Sequence, residues 1–198
     1  MTTINLKIDS TQAERILARA LERFLEQPAR PAQAADSAVA VSDIPPLGEY
    51  WPGEGGHNAG LVRGENGARN YYLIVPSGPA AEFKAAWGGY GSKTTGASSA
   101  SDGLANTQAL LADNEEHPAA SFAAGFTADR HSDFYLPSRR ELQVAEANVP
   151  KLFGAGWHWS STQSSACTAY GVSFSDGYQY YGAKTDEARV RPVRRKFL

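Results

Sequence analysis

The chain has 198 residues, 42% hydrophobic and 20% charged, with 19 glycines and 11 prolines. That is room for one ordinary soluble domain with an appendage, tilted toward turns and loops. A formal net charge of −2 gives no general attraction to phosphate backbones, so no nucleic-acid partner is expected.

At the N-terminus, Ile4, Leu6 and Ile8 alternate with Asn5, Lys7 and Asp9, which predicts a short strand. Thr11 and Glu14 fit a capping box, after which Ile16, Leu17, Leu21, Phe24 and Leu25 recur at helical spacing. Pro28 stops that helix, and residues 28–43, rich in Ala, Pro and Ser, read as a linker. Residues 1–27 are therefore expected to form an attachment or oligomerisation element, with docking of the stripe back onto the same chain as the alternative. A homo-oligomer, a trimer rather than a dimer, or a helix sheathed by a partner would bury the stripe.

The main domain is expected to span residues 44–198. Ala59–Arg63 is a possible short strand, and Asn70–Val75 (NYYLIV) is the clearest strand in the chain. A long Gly/Ser/Thr loop over Gly88–Asp102 precedes helices starting at Gly103 and His117. Ser138 should cap a third helix running through Glu146, with Leu142 and Ala145 turned inward. The spacing then predicts an antiparallel meander over Trp157–Ser160, Ala169–Phe174, Tyr178–Tyr181 and Arg189–Arg194. Its tight hairpin turn falls at Asp176-Gly177.

Catalytic and ligand-binding motifs fail on inspection. GGYGSKT at Gly88–Thr94 has Ser92 where a phosphate loop needs glycine. His131 and Asp133 could be two metal ligands, but no third has suitable spacing, and a hydrogen-bonded turn accounts for them better. Cys167, the only cysteine, rules out an intrachain disulfide and has no nearby base. No cofactor, metal or catalytic residue is assigned. No stretch of about 18 apolar residues occurs, so no membrane insertion is expected. The start also lacks the basic and apolar regions of a signal peptide, which implies synthesis in a cytosol. The basic run from Arg189 to Lys196 reads as a solvated or ion-paired sheet edge.

Aromatic composition is the positive signal. Gly156–Arg195 carries two of the four tryptophans and four of the nine tyrosines among many hydroxyls and glycines, the composition of a paratope. Trp159, Phe174 and Val190 are expected in the core. Tyr178 and Tyr180 share one strand face, Gln179 and Tyr181 the other, so one pair should look outward if the other is buried. Gln163, Ser164, Tyr170, Tyr178, Gln179, Tyr180 and Tyr181 are the candidate ligand-binding residues.

LPSRREL (Leu136–Leu142), WHWSSTQ (Trp157–Gln163), YGVSFSDGYQYY (Tyr170–Tyr181) and VRPVRR (Val190–Arg195) together resemble a family often found in phages and bacteria. It is a domain of unknown function named after the C-terminal domain of the Legionella collagen-like adhesin. The resemblance covers about Ile44 to Arg195. It implies an α+β, C-type-lectin-like fold whose small twisted sheet presents a changeable C-terminal surface. Leu136, Pro137, Arg139, Glu141, Trp159, Ser160, Ser161, Val190, Arg191 and Arg194 match the framework, and residues from Gln163 to Tyr181 hold the changeable part. The Glu-Pro-Asn sugar motif of calcium-dependent lectins and the cysteine pair of formylglycine chemistry are both missing. The implied function is non-catalytic: a phage virion protein, at the tail tip or fibre, binding a glycan or protein receptor on a bacterial surface. The alternative is a baseplate or decoration protein that contacts other virion proteins; a small enzyme on the same scaffold is a third reading.

Overall fold

The computed structural model describes residues 44–65 and 67–197. The N-terminal strand, the helix with its Ile16, Leu17, Leu21, Phe24 and Leu25 stripe, and the 28–43 linker lie outside the described residues. Residues from Ile44 onward form one unit of mixed α+β character, with three helices and two sheets among the described residues.

The first sheet holds β1 (Tyr50–Trp51), β2 (Gly56–Val62), β3 (Tyr71–Val75) and β9 (Arg194–Lys196), in the order β1-β2-β3-β9, all antiparallel. The second holds β4 (Phe83–Ala86), β5 (Trp157–Gln163), β6 (Thr168–Ser173), β7 (Gln179–Ala183) and β8 (Glu187–Val190), in the order β4-β8-β5-β6-β7. The NYYLIV strand is there as β3, with Leu73, Ile74 and Val75 fully buried.

The helices are α1 (Gly103–Leu111), α2 (Pro118–Gly125) and α3 (Arg139–Asn148). Local chemistry sets their starts. The Asp102 carboxylate accepts from the Ala105 amide, and Pro118 occupies the first turn of α2. Ser138 and Glu141 form the expected capping box, with Leu142 and Ala145 buried.

The expected four-strand meander is corrected. Only β5, β6 and β7 follow one another across the sheet. After β7 the chain returns to the opposite side of β5, where β8 pairs antiparallel with β4 and meets β5 in parallel at His158↔Arg189. Arg194 and Arg195 then belong to the other sheet, paired with β3. The tight two-residue turn is also corrected. Residues 174–178 connect β6 to β7, Gly177 sits in the left-handed region at φ 73°, and its amide donates to Ser173 O.

Alternation along β6 divides the core between the two faces of the second sheet. Ala169 and Trp159 join Trp87, Leu110, Leu136 and the alanines of α2 on one face. Val172 joins Leu142, Ala145, Phe153, Tyr135 and the β3 side chains on the other. Trp159 is buried as expected, its indole N–H donating to Ala85 O at 3.1 Å.

Candidate functional site

The β7 strand is the outer edge of the second sheet, and its position decides how the tyrosines lie. A central strand would bury one side-chain row, but β7 has a neighbour on one side only. Both rows are exposed: Tyr178 is 62% accessible, Tyr180 51% and Tyr181 49%. Neither pair is buried, and both face solvent along this edge.

The rings form a continuous run. Tyr180 and Tyr181 stack at 5.0 Å between centroids with planes 10° apart. Trp157, exposed at the start of β5, meets Tyr180 at 6.0 Å and Tyr178 edge-on at 6.3 Å. Tyr170, half-buried, meets Tyr181 edge-on at 6.3 Å and carries the Arg139 guanidinium 4.6 Å above its ring. Gln179 is exposed on this edge, paired with Val172.

Trp157 and Tyr180 border a cavity of about 270 Å³ that is also lined by Trp159, Gly171, Gly182, Asp186 and Glu187. The two glycines make the room. A Cβ at Gly182 would lie 2.9 Å from the Trp159 ring, and one at Gly171 2.9 Å from the His158 carbonyl oxygen. Trp157, Asp186 and Glu187 escaped the sequence reading. The Trp157/Trp159 spacing, two residues on one strand face, was the available signal for the first.

Gln163 does not belong to this surface, which corrects its assignment. It is buried, and its amide group accepts from the Thr94 amide and donates to the Thr94 carbonyl, while its oxygen accepts from Lys184. The reason is an irregular register in β5: Trp159 pairs with Gly171 but Gln163 with Ala169, and the strand turns successive side chains inward. Ser164 is exposed, but on the turn at the far end of the β5–β6 ladder from Trp157 and Tyr178. The structure brings Tyr170, Tyr178, Tyr180 and Tyr181 together and leaves Gln163 and Ser164 apart from them.

Lys184 is fully buried. Its ammonium donates to Ser92 O at 2.8 Å and lies 4.5 Å over the Trp87 ring, clamping the Gly88–Asp102 loop to the sheet. Burial lowers its pKa, opposed by the charge of Asp113.

The arginine run does not form a phosphate-binding surface. Arg189 and Arg191 both pair with Glu82, at 2.8 and 2.9 Å. Arg194 pairs with Glu54 and Asp133, and Arg195 with Asp102 and Glu141. Burial would raise the Glu82 carboxyl, but hydrogen bonds from His158, the Gly154 amide and Arg191 outweigh it and hold it well below the carboxylate range. Burial lowers the His158 imidazole, with Glu82 pulling the other way. Burial and the neighbouring Glu141 charge raise both the Tyr71 and Tyr135 phenols. Among the described residues, no group of three or more His, Cys, Asp or Glu could hold a metal ion, and no helix is long and apolar enough to cross a membrane. His131 lies 3.7 Å from Asp133 and bonds Gly53 O.

No protein-family model matches the chain, and no curated protein matches it.

Proposed function

We propose that residues 44–197 are a C-type-lectin-like recognition domain of a phage virion protein, binding a bacterial surface receptor through the aromatic edge at β7 without catalysis. The observation that carries this reading is that most framework positions are buried and the tyrosines of the changeable part are exposed, with Gln163 and Ser173 of that part buried and Arg139 of the framework half-buried. Leu136, Glu141, Trp159, Ser160, Ser161, Val190, Arg191 and Arg194, which match the framework of the resembled family, are all buried. Tyr178, Tyr180 and Tyr181, from its changeable part, are exposed and in ring contact with each other or with Trp157. Large exposed aromatics clustered beside a cavity suit recognition, because few rotamers are lost on contact and each ring carries an apolar face. Repeated copies on a particle would make weak single contacts effective.

The test is binding of the labelled full-length protein to intact bacteria. Replacing Tyr178 and Tyr180 with alanine should abolish binding while leaving the melting temperature nearly unchanged. Full binding by that folded variant would remove the β7 edge as the recognition surface. The unpaired edge of β7 also favours a second reading, in which another virion protein adds a strand there. Cross-linking within purified particles, with no binding to cells, would select it.

A further inference from the structure

Resting on the reading of the C-terminal surface as a recognition site, we infer that the cavity beside Trp157 is a subsite for a primary alkylammonium group, the chemistry of a lysine side chain. Its apolar wall is Trp157 and Tyr180, whose rings stand 6.0 Å apart with planes inclined by 55°. The two rings touch each other, and a slender methylene chain would lie along the ring faces that border the cavity, whose quadrupoles attract a cation. Its polar side is Asp186 and Glu187, both exposed. Among the described residues neither carboxylate has a hydrogen-bond or ion-pair partner, unlike Glu54, Glu82 and Asp102, which arginines hold. Asp186 Oδ2 reaches to 3.8 Å from where a Cβ on Gly182 would stand, so one acceptor lies beside the glycine that lines the cavity.

Charge selects the ligand. The lining contains no Lys or Arg, and the one histidine there, His158, turns its ring to the opposite face, where Nε2 meets Glu82 at 3.1 Å. An anionic group would meet two uncompensated carboxylates. A neutral sugar could stack on the rings but would leave both charges unmatched. A quaternary ammonium would satisfy the rings and offer no N–H to Asp186. A primary ammonium does both, since it donates charge-assisted hydrogen bonds to carboxylates while its stem covers the tryptophan. The volume of about 270 Å³ suits one such side chain and not an extended polymer.

The probe is Nα-acetyl-lysine methylamide, titrated into the full-length protein at low salt, with the indole N–H resonance of Trp157 read by NMR and assigned from Trp157→Phe. The resonance should shift saturably, and acetylating the side-chain amine of the probe should weaken binding at least about tenfold. Asp186→Asn and Glu187→Gln should each weaken it severalfold with unchanged melting, since neither carboxylate supports the fold. Equal binding of the acetylated probe, or of both variants, would overturn the assignment. So would tighter binding of tetramethylammonium, or saturation by methyl glucoside that ignores both substitutions. Either of those last results would leave the aromatic edge standing as a recognition surface. Loss of cell binding in the Tyr178 and Tyr180 double variant is an independent reading of that surface.

Discussion

The phenol of Tyr71 and the carboxylate of Glu141, 70 residues apart in sequence, meet at 2.5 Å in the interior of the domain. Glu141 Oε1 also accepts from Tyr135 at 2.6 Å and Arg195 at 3.1 Å, while Oε2 accepts from the Ser138 and Gly103 amides. One carboxylate thus joins β3, the start of α1, the cap of α3 and β9. Removing one partner of a buried charge pair strands the other, so Glu141→Ala should cost about 3–5 kcal/mol. Urea unfolding monitored by tryptophan fluorescence measures this, and a loss under about 1 kcal/mol would show the network to be dispensable.

Trp159 and Gly182 make a second pair. Trp159→Ala should cost about 3–5 kcal/mol through the cavity it opens. Gly182→Ala should cost about 1–3 kcal/mol, because its methyl would press on the indole ring. In the Trp159→Ala background the same glycine replacement should cost nothing, a coupling that a double-mutant cycle reads directly. Additive losses would mean the ring and the glycine do not meet.

Acid should destabilise the domain in two stages. His158 has a folded pKa below its ordinary 6.5, so the unfolded chain takes up its proton first, and stability falls as pH drops below about 6.5. Glu82, depressed from 4.5, contributes stability that is present above that value and lost as pH falls below it. Subtracting the stability profile of His158→Gln from that of the wild type should isolate the upper stage, and Glu82→Gln the lower. Parallel profiles for wild type and both variants would refute the assignment.

Lys184 should resist amine-reactive acylation under native conditions while the exposed Lys93 reacts freely, as resolved by mass spectrometry. Gln163→Ala, by leaving the buried Thr94 amide without its acceptor and removing one of three acceptors from Lys184, should cost about 1–3 kcal/mol and speed Lys184 labelling through local opening of the loop. Equal labelling of the two lysines in the native protein would contradict the clamp.

What the sequence disclosed follows the range of the forces involved. The capping box at Ser138 and Glu141 and the apolar run before Val75 are local, so α3 and β3 were legible. The separation of β8 from β9 into different sheets was not. The arginines read as a solvated or ion-paired sheet edge; ion pairing holds, but the partners Glu82, Glu54 and Asp133 lie 61 to 140 residues upstream, beyond what local spacing can name. The tyrosines of the edge were legible as a cluster. Gln163 was misread because the expected strand ended at Ser160, whereas β5 runs on to Gln163 through an irregular register that turns it inward.

Two stretches of chain carry the backbone from one sheet to the other, residues 76–82 between β3 and β4 and residues 191–193 between β8 and β9. Arg191 ties them together, donating to Pro76 O at 2.8 Å and to Glu82 at 2.9 Å. In mechanical terms, two parallel hinges that are bolted to each other cannot flex independently. A load applied at the β7 edge would reach the β1–β3 sheet through this joint. The orientation of the aromatic edge to the β1–β3 sheet therefore rests on the core that Val172 shares with Leu73 and Val75 and, at the two crossings, on one buried guanidinium.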